Sequence, residues 1–288
     1  MYSIENSRLR IEVNAKGAEL NSIVFKDNGL EYLWNGGEPW LKKSPILFPI
    51  VGALKNDTYY YNNKSYKLPR HGFGRDMNFE LSSQTASSLT FTLNSSEETL
   101  KKFPFQFKLD VTYSIDGPEF FVDYKVFNPS EENIYFSIGG HPAFKIPLTD
   151  DLQYEDYYFE FSHEENAVRW LISSEGLINP SAVPVITHSN ILPIKRELFI
   201  NDAIVVKYLN SDKVKLKTNK SAHGIEFSFP RFPFLGLWAA KNADFVCIEP
   251  WCGIADSTTT DQQFINKEGI NLLTPGEVFE RRWSVRVF

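Results

Sequence analysis

Cysteine is nearly absent. Cys247 and Cys252 are the whole supply, too few for a disulfide framework or a cysteine zinc site, so they read as reduced thiols of a cytoplasmic protein. Long apolar runs are also missing. No stretch nears the roughly 20 residues of a membrane span, and the polar start Met1-Tyr2-Ser3-Ile4-Glu5-Asn6 lacks the order of a signal peptide. There is no excess of basic charge: 30 Lys and Arg face 36 Asp and Glu, a net charge of -6. Phosphate backbones need a basic face, so nucleic acid is excluded as the main partner. No Walker loop occurs, and the Gly-x-Gly of His71-Gly72-Phe73-Gly74 is not followed by a helix pattern. His163-Glu164-Glu165-Asn166 fails the zincin motif, and no Gly-x-Ser-x-Gly elbow exists. Neither a cofactor nor a metal is therefore expected. Acid–base chemistry by His, Asp and Glu remains.

What is present favours β structure. Hydrophobic residues make up 42% of 288 and charged residues 23%, enough for a sizeable core. Aromatics reach 15%, which suits strands and ring-stacking sites. The dominant period is two. Phe105, Phe107, Leu109, Val111, Tyr113 and Ile115 alternate with polar residues, which predicts a long half-buried strand. Asp116-Gly117-Pro118-Glu119 turns the chain, and Phe120, Val122, Tyr124 and Val126 alternate again. After Asn128-Pro129-Ser130, Asn133 to Ile138 is expected as the third strand of a meander. The same grammar marks Leu9 to Val13, the pair Val214–Lys217 and Ile225–Ser228, Phe245 to Glu249, and Trp283 to Val287. Helical stripes are almost absent, with short turns expected near Ser95 to Lys101 and around Gln262. The sixteen Gly and sixteen Pro are scattered at turns with no linker or repeat. The expectation is one all-β domain over residues 1–288, a sandwich or an open barrel.

Three stretches concentrate reactive groups. In Leu68-Pro69-Arg70-His71-Gly72-Phe73-Gly74-Arg75-Asp76, glycines permit close backbone approach while His and Arg offer donors. A surface loop with a solvated ion pair would look the same. In Ser137-Ile138-Gly139-Gly140-His141-Pro142, an imidazole sits where a strand ends. It could move protons near neutrality, or be a hydrogen-bonded structural histidine at a bend. In Phe245-Val246-Cys247-Ile248-Glu249-Pro250-Trp251, alternation places Phe245, Cys247 and Glu249 on one face of a strand apolar on both sides. Burial would raise the Glu249 pKa toward a useful general base, unless an arginine holds the carboxylate instead. Trp251 could stack on a ligand. His163, His188 and His223 lack ligand spacing and receive no role.

In this order, and together with Lys16-Gly17-Ala18-Glu19-Leu20, Ser44-Pro45-Ile46-Leu47-Phe48-Pro49 and Leu198-Phe199-Ile200-Asn201-Asp202-Ala203, these stretches resemble the galactose mutarotase-like superfamily, in particular its small LacX-like aldose 1-epimerase branch. The resemblance covers nearly the whole chain. It implies a large antiparallel β-sandwich with an open sugar-binding groove. It also implies interconversion of the α and β anomers of a free hexose such as galactose or glucose. By similarity His141 is the acid that protonates the ring oxygen, and Glu249 is the base that takes the anomeric proton. His71 hydrogen-bonds the substrate, Asp202 holds sugar hydroxyls, and Arg75 and Trp238 line the groove.

Two departures stand out. Relatives often carry an arginine after the first Phe-Pro, where this chain has Gly52-Ala53; either Arg75 or Lys55 replaces that contact, or substrate preference differs. The hexose-6-phosphate 1-epimerase branch has a further arginine where this chain has Lys42-Lys43-Ser44-Pro45. Lysines could still attract phosphate as point charges, so that activity is one alternative. A non-catalytic sugar-binding protein on the same scaffold is the other.

Overall fold

A computed structural model describes all 288 residues. The alternating segments become strands, and paired strands run antiparallel throughout. The largest sheet has fifteen strands. From one edge the order is Ile46–Leu47, Ile138–Gly140, Phe245–Cys252, Phe234–Trp238, Ile204–Lys207, Tyr157–Ile172, Lys213–Thr218, Ile225–Ser228, Val278–Val287, Glu119–Phe127, Lys108–Asp116, Ser88–Asn94 and Glu80–Gln84. Ala143–Lys145 adds to Phe245–Cys252, and Ile178–Pro193 adds to Tyr157–Ile172. An N-terminal sheet of Tyr2–Glu5, Leu9–Asn14, Glu19–Phe25 and Leu30–Glu31 shares its core. That core of 68 buried residues reaches from Ile4 to Val287. The chain is all-β, as the alternation implied, and is built on the large antiparallel sheet that the resemblance implied. No helix is long and apolar enough to cross a membrane.

The expected pair Lys213–Thr218 and Ile225–Ser228 forms, with Val214 opposite Phe227. One short helix, Glu97–Lys102, starts at a Ser96–Thr99 capping box, and a single helical turn lies at Phe264–Asn266. The meander is corrected at its third strand. Ile134–Phe136 pairs with Asn271–Leu273 in a separate two-stranded sheet. The free edge of Glu119–Phe127 goes to the C-terminal strand, in register from Glu119 opposite Arg286 to Phe127 opposite Val278. Alternation identifies a strand but not its neighbour. Here Asn128 decides, because its amide donates to Glu132 O and Leu273 O and accepts from Ser130 N–H, which diverts the chain.

The longest hairpin, Tyr157–Ile172 with Ile178–Pro193, is a feature that period-two reading missed. Its register slips four times. The second arm holds Pro180, Pro184 and Pro193, which fits an edge strand whose outer N–H groups need no partner.

Candidate active site

Phe245–Cys252 is buried along its whole length. Phe234–Trp238 hydrogen-bonds one side. On the other side, Gly139 pairs with Trp251 and Ala143 with Cys247. Midway between those pairs lies the break at Pro142, where the ladder loses a donor. This register sets His141 opposite Glu249, and the imidazole Nε2 is 3.2 Å from Glu249 Oε2. Their side chains are 10% and 2% exposed. The arginine-held alternative for Glu249 is thus corrected: the side chain that meets its carboxyl is a histidine. On the far side of Glu249, Gly236 is the ladder partner. A Cβ there would come within 2.5 Å of the Trp251 ring, so glycine is what allows the indole to lie beneath the pair.

Three rings enclose the imidazole. Trp40 stacks on His141 at 5.0 Å and 29°, while Trp238 and His71 meet it edge-on at 5.5 and 5.7 Å. His71 sits at φ +68°. Its backbone N–H donates to Gly52 O at 2.8 Å, and Gly52 N–H donates to His71 Nδ1 at 3.1 Å. The second bond fixes the tautomer: Nδ1 accepts, so a neutral ring carries its proton on Nε2. Burial, then the nearby His141, Arg75 and Arg70, keep His71 well below the usual imidazole range, so it stays neutral.

Asp202, at φ +74°, stands in the turn after Arg196–Phe199. Its Oδ1 accepts from Ala203 N–H at 2.7 Å, and its Oδ2 is 3.5 Å from Arg70 Nη2. Arg169 clamps this turn from behind, donating to Leu198 O at 3.1 Å and Ala203 O at 3.3 Å. Arg75 Nη2 donates to Arg70 O at 2.9 Å, which braces the loop holding His71. The loop is therefore both an ion-pair surface and part of a cavity wall.

Burial dominates the electrostatics. It pushes His141 down to about 3, helped by the positive Arg75 and Arg70 and opposed by a backbone hydrogen bond. It pushes Glu249 well above the carboxylate range, and the Asp202 charge adds to this. The Trp251 indole N–H and Arg70 pull the carboxyl back somewhat, although that indole N–H makes no hydrogen bond of normal geometry. Between the two limits the pair holds one proton. The His141 Nδ1 is buried without a partner.

All six predicted residues, His141, Glu249, His71, Asp202, Arg75 and Trp238, line one cavity of about 530 Å³. Lys55 does not replace the missing arginine at Ala53. Its Nζ donates to Thr258 O at 3.1 Å, and it lies outside the cavity wall. Lys42 and Lys43 are likewise turned away, toward Asp76 at 3.2 Å and Asn21 O at 2.9 Å. A second arginine at the cavity, Arg70, faces Asp202 instead.

The aldose 1-epimerase family profile matches residues 1–283. The chain belongs to the aldose 1-epimerase family. Chromosomal protein LacX of Lactococcus lactis subsp. lactis is 32% identical over 294 residues, covering 99% of this chain and 98% of its own. The solved structure of a galactose mutarotase related enzyme from Lactobacillus acidophilus is 34% identical with a TM-score of 0.95, over 100% of this chain and 97% of that one. A galactose mutarotase-like protein from Lactobacillus casei is 31% identical with a TM-score of 0.94, over 100% of both chains.

Sequence reasoning missed Trp40, Arg70, Gly176 and Lys241 at this epimerase-family cavity. Arg70 carried a signal, being next to His71. Gly176 carried one only in retrospect: at φ +79°, a Cβ would lie 1.8 Å from Arg70 Nη2. Trp40 and Lys241 offered none, because each comes from a segment distant in sequence with no motif around it.

Proposed function

We propose that this chain catalyses mutarotation of a free hexose such as galactose or glucose. One observation carries the reading: a buried imidazole–carboxylate pair, 3.2 Å apart, at a cavity lined by aromatic rings and sugar-matching polar groups. Mutarotation moves protons only. His141 gives a proton to the ring oxygen while Glu249 takes the anomeric hydroxyl's proton. The ring opens, the aldehyde rotates, and the ring closes from the other face with the roles exchanged. Burial favours both groups neutral, and moving one proton across their contact gives the imidazolium–carboxylate form. Both forms hold the same number of protons, which suits a reversible reaction. The His71 Nε2–H donates to a sugar oxygen, Asp202 accepts from hydroxyls, and Arg75 and Trp238 line the wall. The whole of 1–288 acts as one domain. Buried thiols without a disulfide support a reducing, cytoplasmic setting.

Polarimetry on freshly dissolved α-D-glucose and α-D-galactose tests this. The protein should speed the approach to equilibrium, and Glu249→Gln should lose about 10²–10⁴-fold. Acceleration that survives in Glu249→Gln would overturn the base assignment. Hexose 6-phosphate is the second reading, favoured by Arg70, Arg75 and Lys241 around the cavity. It predicts far tighter binding of glucose 6-phosphate than of glucose, weakening at high salt. A pure sugar binder would accelerate neither.

A further inference from the structure

Cys247 has no part in the proton transfers above. Yet its Sγ, a ring nitrogen of His141 and a carboxylate oxygen of Glu249 all lie within 4.8 Å of one another. All three residues are buried. The register explains the grouping: Cys247 and Glu249 are two apart on one strand face, and His141 occupies the neighbouring strand line between the two pairs that flank the break.

We infer that His141, Cys247 and Glu249 form a binding site for a thiophilic divalent cation of the Zn²⁺ class, whose occupation stops the sugar reaction. Thiolate, imidazole and carboxylate are the three ligand types that zinc takes. Bond lengths of about 2.0–2.2 Å place two nitrogen or oxygen ligands of a tetrahedral ion roughly 3.3–3.5 Å apart. The His141–Glu249 contact of 3.2 Å is already close to that spacing. Sulfur, bound at about 2.3 Å, would sit roughly 3.6 Å from the other ligands, so Cys247 needs to move by about an ångström at most. His141 and Glu249 line the cavity and Cys247 lies behind them, which leaves the fourth position open toward the cavity. As the metal–ligand bonds form, the thiol proton and the proton held by the pair leave to solvent. Both reacting groups are then ligands and neither can serve a sugar. The inhibition rests on the mutarotase reading; the metal site itself does not.

Co²⁺ is the probe for the site, added to the full-length reduced protein. A thiolate on tetrahedral Co²⁺ gives a near-ultraviolet charge-transfer band and strong visible bands. These should saturate with one ion per chain, bleach when Zn²⁺ is added, vanish in Cys247→Ser and survive in Cys252→Ser. No band, or a band that persists in Cys247→Ser, overturns the site. Should Cys247→Ser not fold, X-ray absorption of the zinc-loaded wild type decides: a sulfur ligand at about 2.3 Å is expected, and a shell of nitrogen and oxygen alone overturns the proposal. In polarimetry, Zn²⁺ should slow the wild type, a chelator should restore it, and Cys247→Ser should need about tenfold more Zn²⁺ or more. A Co²⁺ band without inhibition of an active protein would overturn the stopping role. A protein inactive on every sugar would sink the mutarotase reading, while the spectrum still decides the site.

Discussion

Desolvation sets the working range of His141 and Glu249. Below about 3, His141 takes a second proton and the pair loses its base. Above the raised Glu249 pKa the pair loses its only proton and therefore its acid. The expected pH profile of kcat/KM is a plateau between those limits. Its acid limb should lie near 3, well below the ordinary imidazole value, and its alkaline limb above the ordinary carboxylate range. Steady-state polarimetry across pH checks this, and an acid limb near 6.5 would show that His141 is not desolvated. Stability follows the same groups. His71 and His141 have lowered pKa values in the fold, so below about 6.5 the unfolded chain binds protons that the native state refuses. Their contribution is complete above that pH and is lost as pH falls toward 3. The melting temperature should drop over this window, and less steeply in His141→Asn.

At the scale of elements, one central strand and one clamped turn build the site. The strand Phe245–Cys252 delivers Glu249 and Cys247 with little freedom, since both its edges are paired. The turn carrying Asp202 is held differently, by side chains: Arg70 meets Asp202, and Arg169 reaches back from the hairpin. Arg169 satisfies carbonyls of Leu198 and Ala203 that would otherwise lose partners. Arg169→Met keeps the length of the side chain and removes those donors. The turn should loosen, KM for the sugar should rise several-fold, and kcat should change less, because the His141–Glu249 contact is made elsewhere. Initial-rate polarimetry over a range of sugar concentrations separates the two constants. A fall in kcat at constant KM would place Arg169 in the chemistry instead.

For the whole molecule, the chain ends matter most. The C-terminal strand Val278–Val287 lies inside the large sheet, between Glu119–Phe127 and Ile225–Ser228. Its Trp283 is fully buried and donates to Tyr124 Oη at 2.9 Å. Removing residues 278–288 would expose two strand edges and a slice of core, and unpaired edges are templates for aggregation. Such a truncated chain should be insoluble, whereas the full chain should unfold in one transition, as one domain would. Calorimetry of the full chain tests the second point, and two resolved transitions would contradict it. Closing the sheet joins the residue 119 region to the last ten residues, so folding should be slow for its size.

The sequence by itself determined the fold class, because alternation is a local property that survives any choice of neighbour. It also determined which stretches hold reactive groups, since Gly-Gly-His-Pro and Glu-Pro-Trp mark titratable side chains beside turn-forming residues, although the strand expected to end at Glu249 runs on through Pro250 to Cys252. Pairing was decided only in three dimensions. The meander's missing strand, the long slipping hairpin with its prolines, and the partner of Glu249 all depend on hydrogen bonds between distant segments. The same holds for Trp40, Arg70 and Cys247 around the imidazole. Register set His141 opposite Glu249, and burial then moved both pKa values. Neither effect is written in the local pattern, because desolvation depends on what covers a residue rather than on what stands beside it in the chain.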